Sequence, residues 1–316
     1  MVRHHEPSAD KKMEDLIKSC EVCPRKCHAN RNRETGNGFC KMGSLPRIAK
    51  VSIHYGEEPC ISDGKGSGTI FFSGCTLRCV YCQNFDISSQ AKGKVYSIKD
   101  LVNIFKYLEK TGVNNINLVN PTHFAEAIIE ALCTYKPNIP IVYNSSGYEN
   151  LRTLERLDKL IDIYLLDLKY YDNDIAKTYS NVDNYFEIAK EAVLKAVDQV
   201  GKPKFYDTGI MQSGVIVRHL VLPNHIKNSI NVLKWIHENM NGRALVSIMS
   251  QYTPLGKAKN YIKINRPLTK REYKRVENFI IDKDLDGFFQ DLSSVGSEYV
   301  PDFNDEGLLK YINLGE

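Results

Sequence analysis

The feature that most limits the possible folds is an alternation of strand-like and helix-like stretches between residue 68 and about residue 285. Residues 68–72 are a short run of β-forming residues that begins at a glycine, which is typical of a strand. Ser97 and Asp100 then form a capping-box-like start for an amphipathic helix. The predicted strands cover residues 68–72, 116–119, 139–143, 163–168, 215–222 and 244–249. The predicted helices cover residues 97–110, 123–132, 149–160, 184–200 and 226–240, and a capping box at Thr269 and Glu272 begins the last helix.

Such an alternation implies right-handed crossovers and a parallel sheet that is buried on both faces. The pattern holds six strand–helix units, whereas a closed barrel of this type has eight. The sequence therefore predicts an α/β fold, built either as an open sheet or as an incompletely closed barrel. Residues up to about 67 show little periodicity, apart from a short helix predicted over residues 13–19.

The nine cysteines are distributed unevenly along the chain. Four lie within residues 20–40 and three within residues 75–82, whereas Cys60 and Cys133 stand apart and are expected to be buried by packing. We expect a soluble cytoplasmic protein, because there is no apolar run of membrane-spanning length and no apolar secretory core at the N-terminus. Disulfides are rare in that compartment, so clustered thiols indicate metal or iron–sulfur ligands.

The charge balance excludes some partner classes. Lys and Arg exceed Asp and Glu by only four, and the surplus is spread along the chain. This gives no electrostatic reason to expect a nucleic-acid or a membrane partner.

Cys75, Cys79 and Cys82 form a CX3CX2C motif directly after the first predicted strand. A [4Fe–4S] cluster normally takes four thiolates, so three local thiolates would leave one iron open to a substrate or cofactor. The position is suitable for chemistry, because active sites gather at the carboxyl ends of parallel strands. A buried or zinc-bound trio is the alternative, although zinc sites favour CX2C pairs.

The motif, with Tyr81 before its last cysteine, resembles that of the radical S-adenosylmethionine (radical SAM) superfamily. The chain is more closely similar to the pyruvate formate-lyase-activating-enzyme-like branch, and within it to PflX-type proteins. The resemblance extends from Cys20 to about Pro301. The matching segments are residues 54–59, 66–75, 82–84, 120–123, 167–169 and 251–252.

The resemblance implies a partial (β/α)6 radical SAM barrel. It also implies that Cys75, Cys79 and Cys82 bind three irons of a [4Fe–4S] cluster, and that S-adenosylmethionine binds the fourth iron. Reductive cleavage of the sulfonium would then give methionine and a 5′-deoxyadenosyl radical that abstracts hydrogen from a substrate. The cofactors carry this chemistry, and the protein positions them and excludes water.

The same resemblance implies that strand-end residues contact S-adenosylmethionine. These candidates are Tyr81, Asn120, Thr122, Asn144, Ser145 and Lys169. Many relatives have a GGEP motif after the second strand, where this chain reads Asn-Pro-Thr-His at residues 120–123. A neutral set of side chains thus replaces a carboxylate beside the methionyl amine. The histidine that glycyl-radical activating enzymes carry after the sixth strand is also missing from residues 250–254, which gives less support for the same protein substrate.

Cys20, Cys23, Cys27 and Cys40 have CX2CX3CX12C spacing. Four thiolates can saturate either a tetrahedral zinc ion or an auxiliary [4Fe–4S] cluster. Ligand softness does not separate the two metals, and the missing second CX2C pair favours the cluster weakly. A metal that staples a segment too small to bury its own core and an electron-transfer role are both open.

These features predict three regions: a cysteine-rich N-terminal segment (residues 1–67), a radical SAM core (68–285) and a C-terminal extension (286–316). The predicted partners are S-adenosylmethionine, a reductant such as flavodoxin or ferredoxin, and either a glycyl-radical protein or a different molecule as substrate. The main alternative is a two-cluster iron–sulfur electron-transfer protein without S-adenosylmethionine chemistry. Pure carriers usually bind each cluster with four ligands, which argues against it.

Overall fold

The computed structural model describes residues 18–240, 242–285, 287–289 and 302–314. The helix predicted over residues 13–19 lies largely outside these ranges. Within them, no helix is both long enough and apolar enough to cross a bilayer.

The sheet is mostly parallel. Its strands are β1 (Arg47–His54), β2 (Ser67–Phe72), β3 (Lys94–Val95), β4 (Ile116–Val119), β5 (Ile141–Ser145), β6 (Ile163–Asp167), β7 (Lys204–Phe205), β8 (Met211–Leu220), β9 (Leu245–Met249) and β10 (Gly287–Phe289). The strand order is β10-β9-β8-β6-β5-β4-β2-β1-β3, and β7 pairs with β8. Along the order from β10 to β2 all neighbours are parallel, whereas β1 is antiparallel to β2, β3 to β1 and β7 to β8. The predicted α/β fold of the partial-barrel type is confirmed.

Helices lie between the strands along the chain. They are α1 (Pro59–Ser62), α2 (Phe85–Ser88), α3 (Ile98–Thr111), α4 (Ala125–Thr134), α5 (Leu151–Arg156), α6 (Asn173–Ser180), α7 (Tyr185–Val200), α8 (Ile226–Met240) and α9 (Lys270–Asp282). Both predicted capping boxes are present: Ser97 caps α3 with Asp100, and Thr269 caps α9 with Glu272.

Some expectations from the sequence were wrong. β1 lies in a region predicted to lack strands, because a register shift between Ile48 and Lys50 breaks the alternation that marks a strand. Helix α6 was not predicted, and α5 begins two residues later than expected because Asn150, not an earlier residue, is its N-cap. Cys60 is buried as expected, but Cys133 is exposed on α4.

The core lies between the sheet and its helices. Every residue of β2, β5 and β6 is buried, as expected for parallel strands that are covered on both faces. The N-terminal segment joins this core, since Val22, Ala29 and Met42 pack in the same buried cluster as the barrel strands. The division into three regions at residues 67 and 285 stays a prediction.

Candidate functional site

A cavity of about 230 Å³ opens at the carboxyl ends of the parallel strands. Residues from the ends of β4, β5, β6, β8 and β9 line it, together with the loop that follows β2. Active sites of parallel α/β proteins occupy this edge of the sheet. Polar side chains line one part of the wall, and apolar side chains such as Leu77, Ile87 and Leu220 line another.

Cys75, Cys79 and Cys82 all line this cavity. The loop that carries them leaves β2 through Gly74, whose φ of 84° is in the left-handed region that favours glycine. Backbone hydrogen bonds fasten the loop at Val80, whose N–H donates to Tyr179 and whose carbonyl accepts from Lys257. The CX3CX2C motif is therefore a loop that backbone hydrogen bonds hold at Gly74, which donates to Ile87, and at Val80 within the motif. Its thiols face one space.

Burial affects the pKa of Cys79, and nearby hydroxyls donate hydrogen bonds to the sulfurs of Cys79 and Cys82. Burial raises the pKa of Cys79 to about 12, although the charge of Lys169 opposes this shift. The Ser180 hydroxyl donates to the Cys79 sulfur at 2.9 Å, and the Ser88 hydroxyl donates to Cys82 at 3.4 Å. A thiol with so high a pKa binds protons strongly unless a metal replaces them, because metal ligands must be thiolates.

Two tyrosines extend this hydrogen-bonded chain. The hydroxyls of Tyr81 and Tyr170 are 2.5 Å apart, and that of Tyr170 is 2.6 Å from the Ser180 hydroxyl. The chain thus runs from Tyr81, within the cysteine motif, to the sulfur of Cys79. Because burial raises the pKa of both tyrosines well above the usual range, they are neutral and can donate and accept hydrogen bonds here.

A buried group of charges lies at the strand ends. Asp167 accepts hydrogen bonds from Lys169 at 2.5 Å and from Arg218 at 3.0 Å. Arg218 also donates to Asn144 at 2.6 Å and pairs with Glu57 at 3.3 Å. Burial alone would raise the pKa of Asp167, but the two cations outweigh burial and lower it. Glu58 is also buried beside Arg218, and burial raises the pKa of both Glu57 and Glu58. The two cations thus face three carboxyl groups, and they compensate Asp167 most directly.

Eight of the nine residues predicted for the central site line the cavity. They are Cys75, Cys79, Tyr81, Cys82, Asn120, Asn144, Ser145 and Lys169. The ninth, Thr122, is fully buried and donates its hydroxyl hydrogen to Glu149. Their contacts with a cofactor stay predictions.

Sequence reasoning missed Arg218 and Glu57 as site residues. Arg218 is a charged residue inside the apolar strand β8, and such a residue indicates a buried ion pair. Glu57 belongs to a segment that matched the family, residues 54–59, but its partner Arg218 is 161 positions away in sequence. Only the tertiary structure shows this pairing.

The four N-terminal cysteines differ from one another in exposure. Cys20 and Cys23 are buried, Cys40 is partly buried and Cys27 is exposed. Cys20, Cys27 and Cys40 all contribute to raising the pKa of Cys23 by charge, so the four thiols lie in one neighbourhood. Within the described ranges, no three His, Cys, Asp or Glu side chains are arranged around a single-ion site.

The cavity fits a cluster together with a polar ligand. Three soft thiol ligands lie on its wall, and cysteine thiolates are the usual ligands of iron–sulfur clusters. Ser146 Oγ and Asn84 Oδ1 belong to cavity-lining residues, and both are buried without a hydrogen-bond partner in the described part of the chain. Buried polar atoms usually have partners, so these two are available to a ligand.

Comparison with known proteins gives a consistent family. The model of the radical SAM superfamily matches residues 69–221. The uncharacterized protein MJ0674 of Methanocaldococcus jannaschii is 34% identical over 271 residues, which cover 83% of this chain and 74% of that protein. A pyruvate formate-lyase-activating enzyme of Clostridium pasteurianum is 27% identical over 248 residues, which cover 72% of this chain and 96% of that protein.

Solved structures resemble part of the chain. Methylornithine synthase (PylB) has a TM-score of 0.46 at 17% identity and covers 70% of this chain and 66% of its own. Streptococcus suis SuiB bound to S-adenosylmethionine has a TM-score of 0.46 at 17% identity. The match covers 69% of this chain and 48% of SuiB, so the chain spans about half the length of that protein.

Proposed function

The chain belongs to the radical SAM superfamily, and on that premise we propose that it is an iron–sulfur enzyme that cleaves S-adenosylmethionine reductively and abstracts hydrogen from a substrate. The observation that carries the proposal is the set of three thiols on the cavity wall. As far as the structure describes that wall, it holds Cys75, Cys79 and Cys82 but no fourth cysteine and no histidine. Three ligands leave one position of a cubane for a cofactor, whereas an electron carrier usually fills all four.

In this proposal Cys75, Cys79 and Cys82 hold the [4Fe–4S] cluster. When bound, the cluster would supply the electron that breaks the sulfonium bond, which gives methionine and a 5′-deoxyadenosyl radical. The chain's own task is to fix the thiols. Ser180 and Ser88 donate to two of them, and the N–H groups of Leu77 and Arg78 donate to the Cys75 sulfur at 3.3 and 3.4 Å.

The remaining wall of the cavity would hold S-adenosylmethionine. Asn120, Asn144, Ser145 and Lys169 lie at the ends of β4, β5 and β6. Lys169 keeps a positive charge at the cavity because Asp167 outweighs the burial that would lower its pKa. We propose that this ammonium attracts the methionyl carboxylate. Apolar side chains on the cavity wall, such as Leu255, would limit the entry of water during the radical step.

Two finer assignments belong to the same proposal. The similarity to a pyruvate formate-lyase-activating enzyme over 96% of its length supports a glycyl-radical protein as the substrate class. The absence of a histidine from residues 250–254 argues against the same protein substrate. We also propose that Cys20, Cys23, Cys27 and Cys40 bind a second metal centre, either an iron–sulfur cluster or zinc. A flavodoxin or ferredoxin would supply the electron.

The test is production of 5′-deoxyadenosine. Protein reconstituted anaerobically with iron and sulfide is reduced, mixed with S-adenosylmethionine and analysed by chromatography. We expect the nucleoside from the wild type and only background from Cys79→Ala. Cys133→Ala is the matched control, because this thiol is exposed on α4 and far from the motif in sequence; it should behave as the wild type.

A wild type that yields no more nucleoside than Cys79→Ala contradicts the proposal and favours the electron-transfer alternative. Addition of pyruvate formate-lyase to the active mixture tests the substrate class. A glycyl radical in the electron paramagnetic resonance spectrum supports an activase. Steady nucleoside production without that radical rejects pyruvate formate-lyase as the substrate.

A further inference from the structure

The segment that follows β9 carries a concentration of positive charge. Residues 250–271 contain six Lys and Arg and no Asp or Glu, which is more than the surplus of four over the whole chain. The six are Lys257, Lys259, Lys263, Arg266, Lys270 and Arg271. Arg266 pairs with Glu272, and α9 begins at Lys270. The other three cations, Lys257, Lys259 and Lys263, lie in the loop between β9 and α9 and are called the lysine patch.

The lysine patch is exposed, and its own backbone holds it in shape. A single 3₁₀ turn over Ala258–Asn260 folds this part of the loop. The N–H of Asn260 donates to the carbonyl of Lys257 at 3.0 Å, and the N–H of Ile264 donates to that of Tyr261 at 2.9 Å. In the described part of the chain, no Asp or Glu forms an ion pair with any of the three lysines. Their charges are therefore available to a partner.

The same loop forms part of the cavity wall and packs on the cysteine motif. The loop residues that line the cavity are Gln251, Tyr252, Thr253 and Leu255. The N–H of Lys257 then donates to the carbonyl of Val80, inside the motif, at 2.7 Å. At Gly256 the backbones approach so closely that a Cβ would lie 3.0 Å from the Val80 carbonyl oxygen. The lysine patch is therefore held directly against the loop that carries the three thiols.

A row of aromatic rings leads from the patch to the motif. The ring of Tyr261 meets the ring of Tyr179 edge-on, with 5.5 Å between the centroids. The ring of Tyr179 is in turn 6.5 Å from that of Tyr81, inside the motif. The carbonyl of Tyr179 also accepts from the N–H of Val80 at 2.9 Å, next to Cys79. Ring contacts and one hydrogen bond thus connect the exposed loop with the residue that follows Cys79.

An apolar side chain projects among the lysines. Ile262 is 93% exposed, although it is a large hydrophobic residue. The groove beside it also contains Asp172 and Asp174, and Asp172 is engaged as the N-cap of α6. An apolar centre with a charged rim is the usual arrangement of a protein–protein interface. A nucleic acid would gain little from Ile262 and would be repelled by the two carboxylates, so the surface favours a protein partner.

We infer that the lysine patch is the docking surface for an acidic one-electron carrier protein that reduces the cluster. This inference rests on the proposed function, because it locates the partner that the same site needs. One electron leaves the carrier and enters the cluster, and no bond or proton moves. Complementary charge steers such encounters, and electron-transfer complexes are typically small and weak. Three unpaired lysines around one exposed apolar side chain suit an encounter of that kind.

The first test is the rate at which the reconstituted holoprotein, with S-adenosylmethionine, oxidises a chemically reduced flavodoxin of acidic pI. Stopped-flow absorbance of the flavin measures this rate. In the triple variant Lys257→Glu, Lys259→Glu and Lys263→Glu, we expect the second-order rate constant at low ionic strength to fall about tenfold to a thousandfold. Added salt should slow the wild type, because it screens the attraction, and should not slow the variant.

The matched control is the triple variant Lys110→Glu, Lys159→Glu and Lys202→Glu. These lysines are also exposed, but they precede β4, β6 and β8 and so lie towards the amino ends of the strands, opposite the cavity. With a small chemical reductant, both variants should make 5′-deoxyadenosine at the wild-type rate, because the N–H of Lys257 still holds the loop. Equal flavodoxin rates for the two variants overturn the inference. An equal loss with the chemical reductant also overturns it, since the patch would then support the site itself.

A second measurement uses the wild type alone and does not depend on the folding of a variant. A carbodiimide joins carboxylates of the flavodoxin to nearby lysines of the holoprotein, and mass spectrometry of the peptides locates the links. We expect links at the lysine patch and none at the three control lysines. Links elsewhere only, or tighter binding of a single-stranded oligonucleotide than of the flavodoxin, overturn the inference. A wild type that makes no 5′-deoxyadenosine with any reductant overturns the proposed function instead.

Discussion

The two groups of cysteines use the same side chain in unlike surroundings. Cys75, Cys79 and Cys82 occupy one short loop that backbone hydrogen bonds hold at Gly74 and Val80. Residues of other elements donate to the sulfurs of Cys79 and Cys82. Cys20, Cys23, Cys27 and Cys40 are spread over 21 residues without helix or strand. Isolated bridges such as Cys20–Ala29 and side-chain hydrogen bonds from Arg31 organise them. The central thiols are thus placed by the fold, and the N-terminal thiols by turns.

Residues 20–45 of the N-terminal segment owe their position to the barrel edge. Arg31 donates to the carbonyl of His123 at 2.6 Å and to the Cys20 sulfur at 3.4 Å. Thr153 donates to the carbonyl of Val22 at 2.7 Å. A segment with so small a core of its own usually needs a metal or a partner surface to stay folded. Here the barrel supplies the partner surface, and the proposed metal would supply further stabilisation.

Arg25 connects the two groups. Its guanidinium donates to the carbonyl of Thr76, inside the central motif, and to that of Asn181 at 3.0 Å. It also stacks on Phe39 at 3.5 Å, next to Cys40. Both Cys23 and Cys75 are close enough to Arg25 to contribute to its pKa. The two groups of cysteines are therefore connected through Arg25. They differ in the contacts that hold them in place.

The largest expected effect comes from removal of all three central thiols. Changing Cys75, Cys79 and Cys82 to Ala should abolish 5′-deoxyadenosine production and remove about four irons per chain. The barrel should stay folded, because strand pairing and not the metal places this loop. Metal analysis and far-UV circular dichroism check both parts. About four residual irons would indicate an auxiliary cluster, and about one zinc would indicate a zinc site. An unfolded barrel would contradict the view that the fold, and not the metal, places the central thiols.

The difference in support also explains what the sequence could predict. The central thiols and the strand ends were predictable from short stretches of sequence. The spacing of the cysteines, the alternation of strands and helices and the motifs that carry the resemblance all involve residues that are close together in the chain. Eight of nine predicted residues therefore line the cavity. The partner of Cys79 was not predictable, since Ser180 is 101 positions away and lies on a short helix that periodicity did not reveal.

Glu149 shows a second limit of prediction from the sequence. The sequence predicts a helix from residue 149, which would place this side chain on a helix surface. A shift of the N-cap to Asn150 changes nothing in the helical pattern but moves the carboxylate into the core. Propensity does not decide between adjacent helix starts, whereas the tertiary contact of Asn150 with the carbonyl of Glu21 stabilises one of them.

A smaller effect is expected from the N-terminal group. Cys23→Ala should expose residues 20–45 to trypsin about tenfold faster or more, because local opening governs cleavage. With a chemical reductant, production of 5′-deoxyadenosine should fall by less than about tenfold, since the barrel still places the central thiols. Mass spectrometry locates the cuts, and Cys133→Ala is again the control. Loss of activity as complete as in Cys79→Ala would show that the two groups form one unit.

The smallest effect concerns hydrogen bonds to the central sulfurs. Ser180→Ala should make the cluster's reduction potential more negative by tens of millivolts, because a hydrogen bond to sulfur favours the more negative reduced state and about 1 kcal/mol corresponds to roughly 40 mV for one electron. Ser88→Ala removes a longer hydrogen bond, 3.4 Å instead of 2.9 Å, and should shift the potential less. Redox titration followed by electron paramagnetic resonance measures both. Equal shifts, or none, would mean that the barrel places the thiols without tuning their electronics.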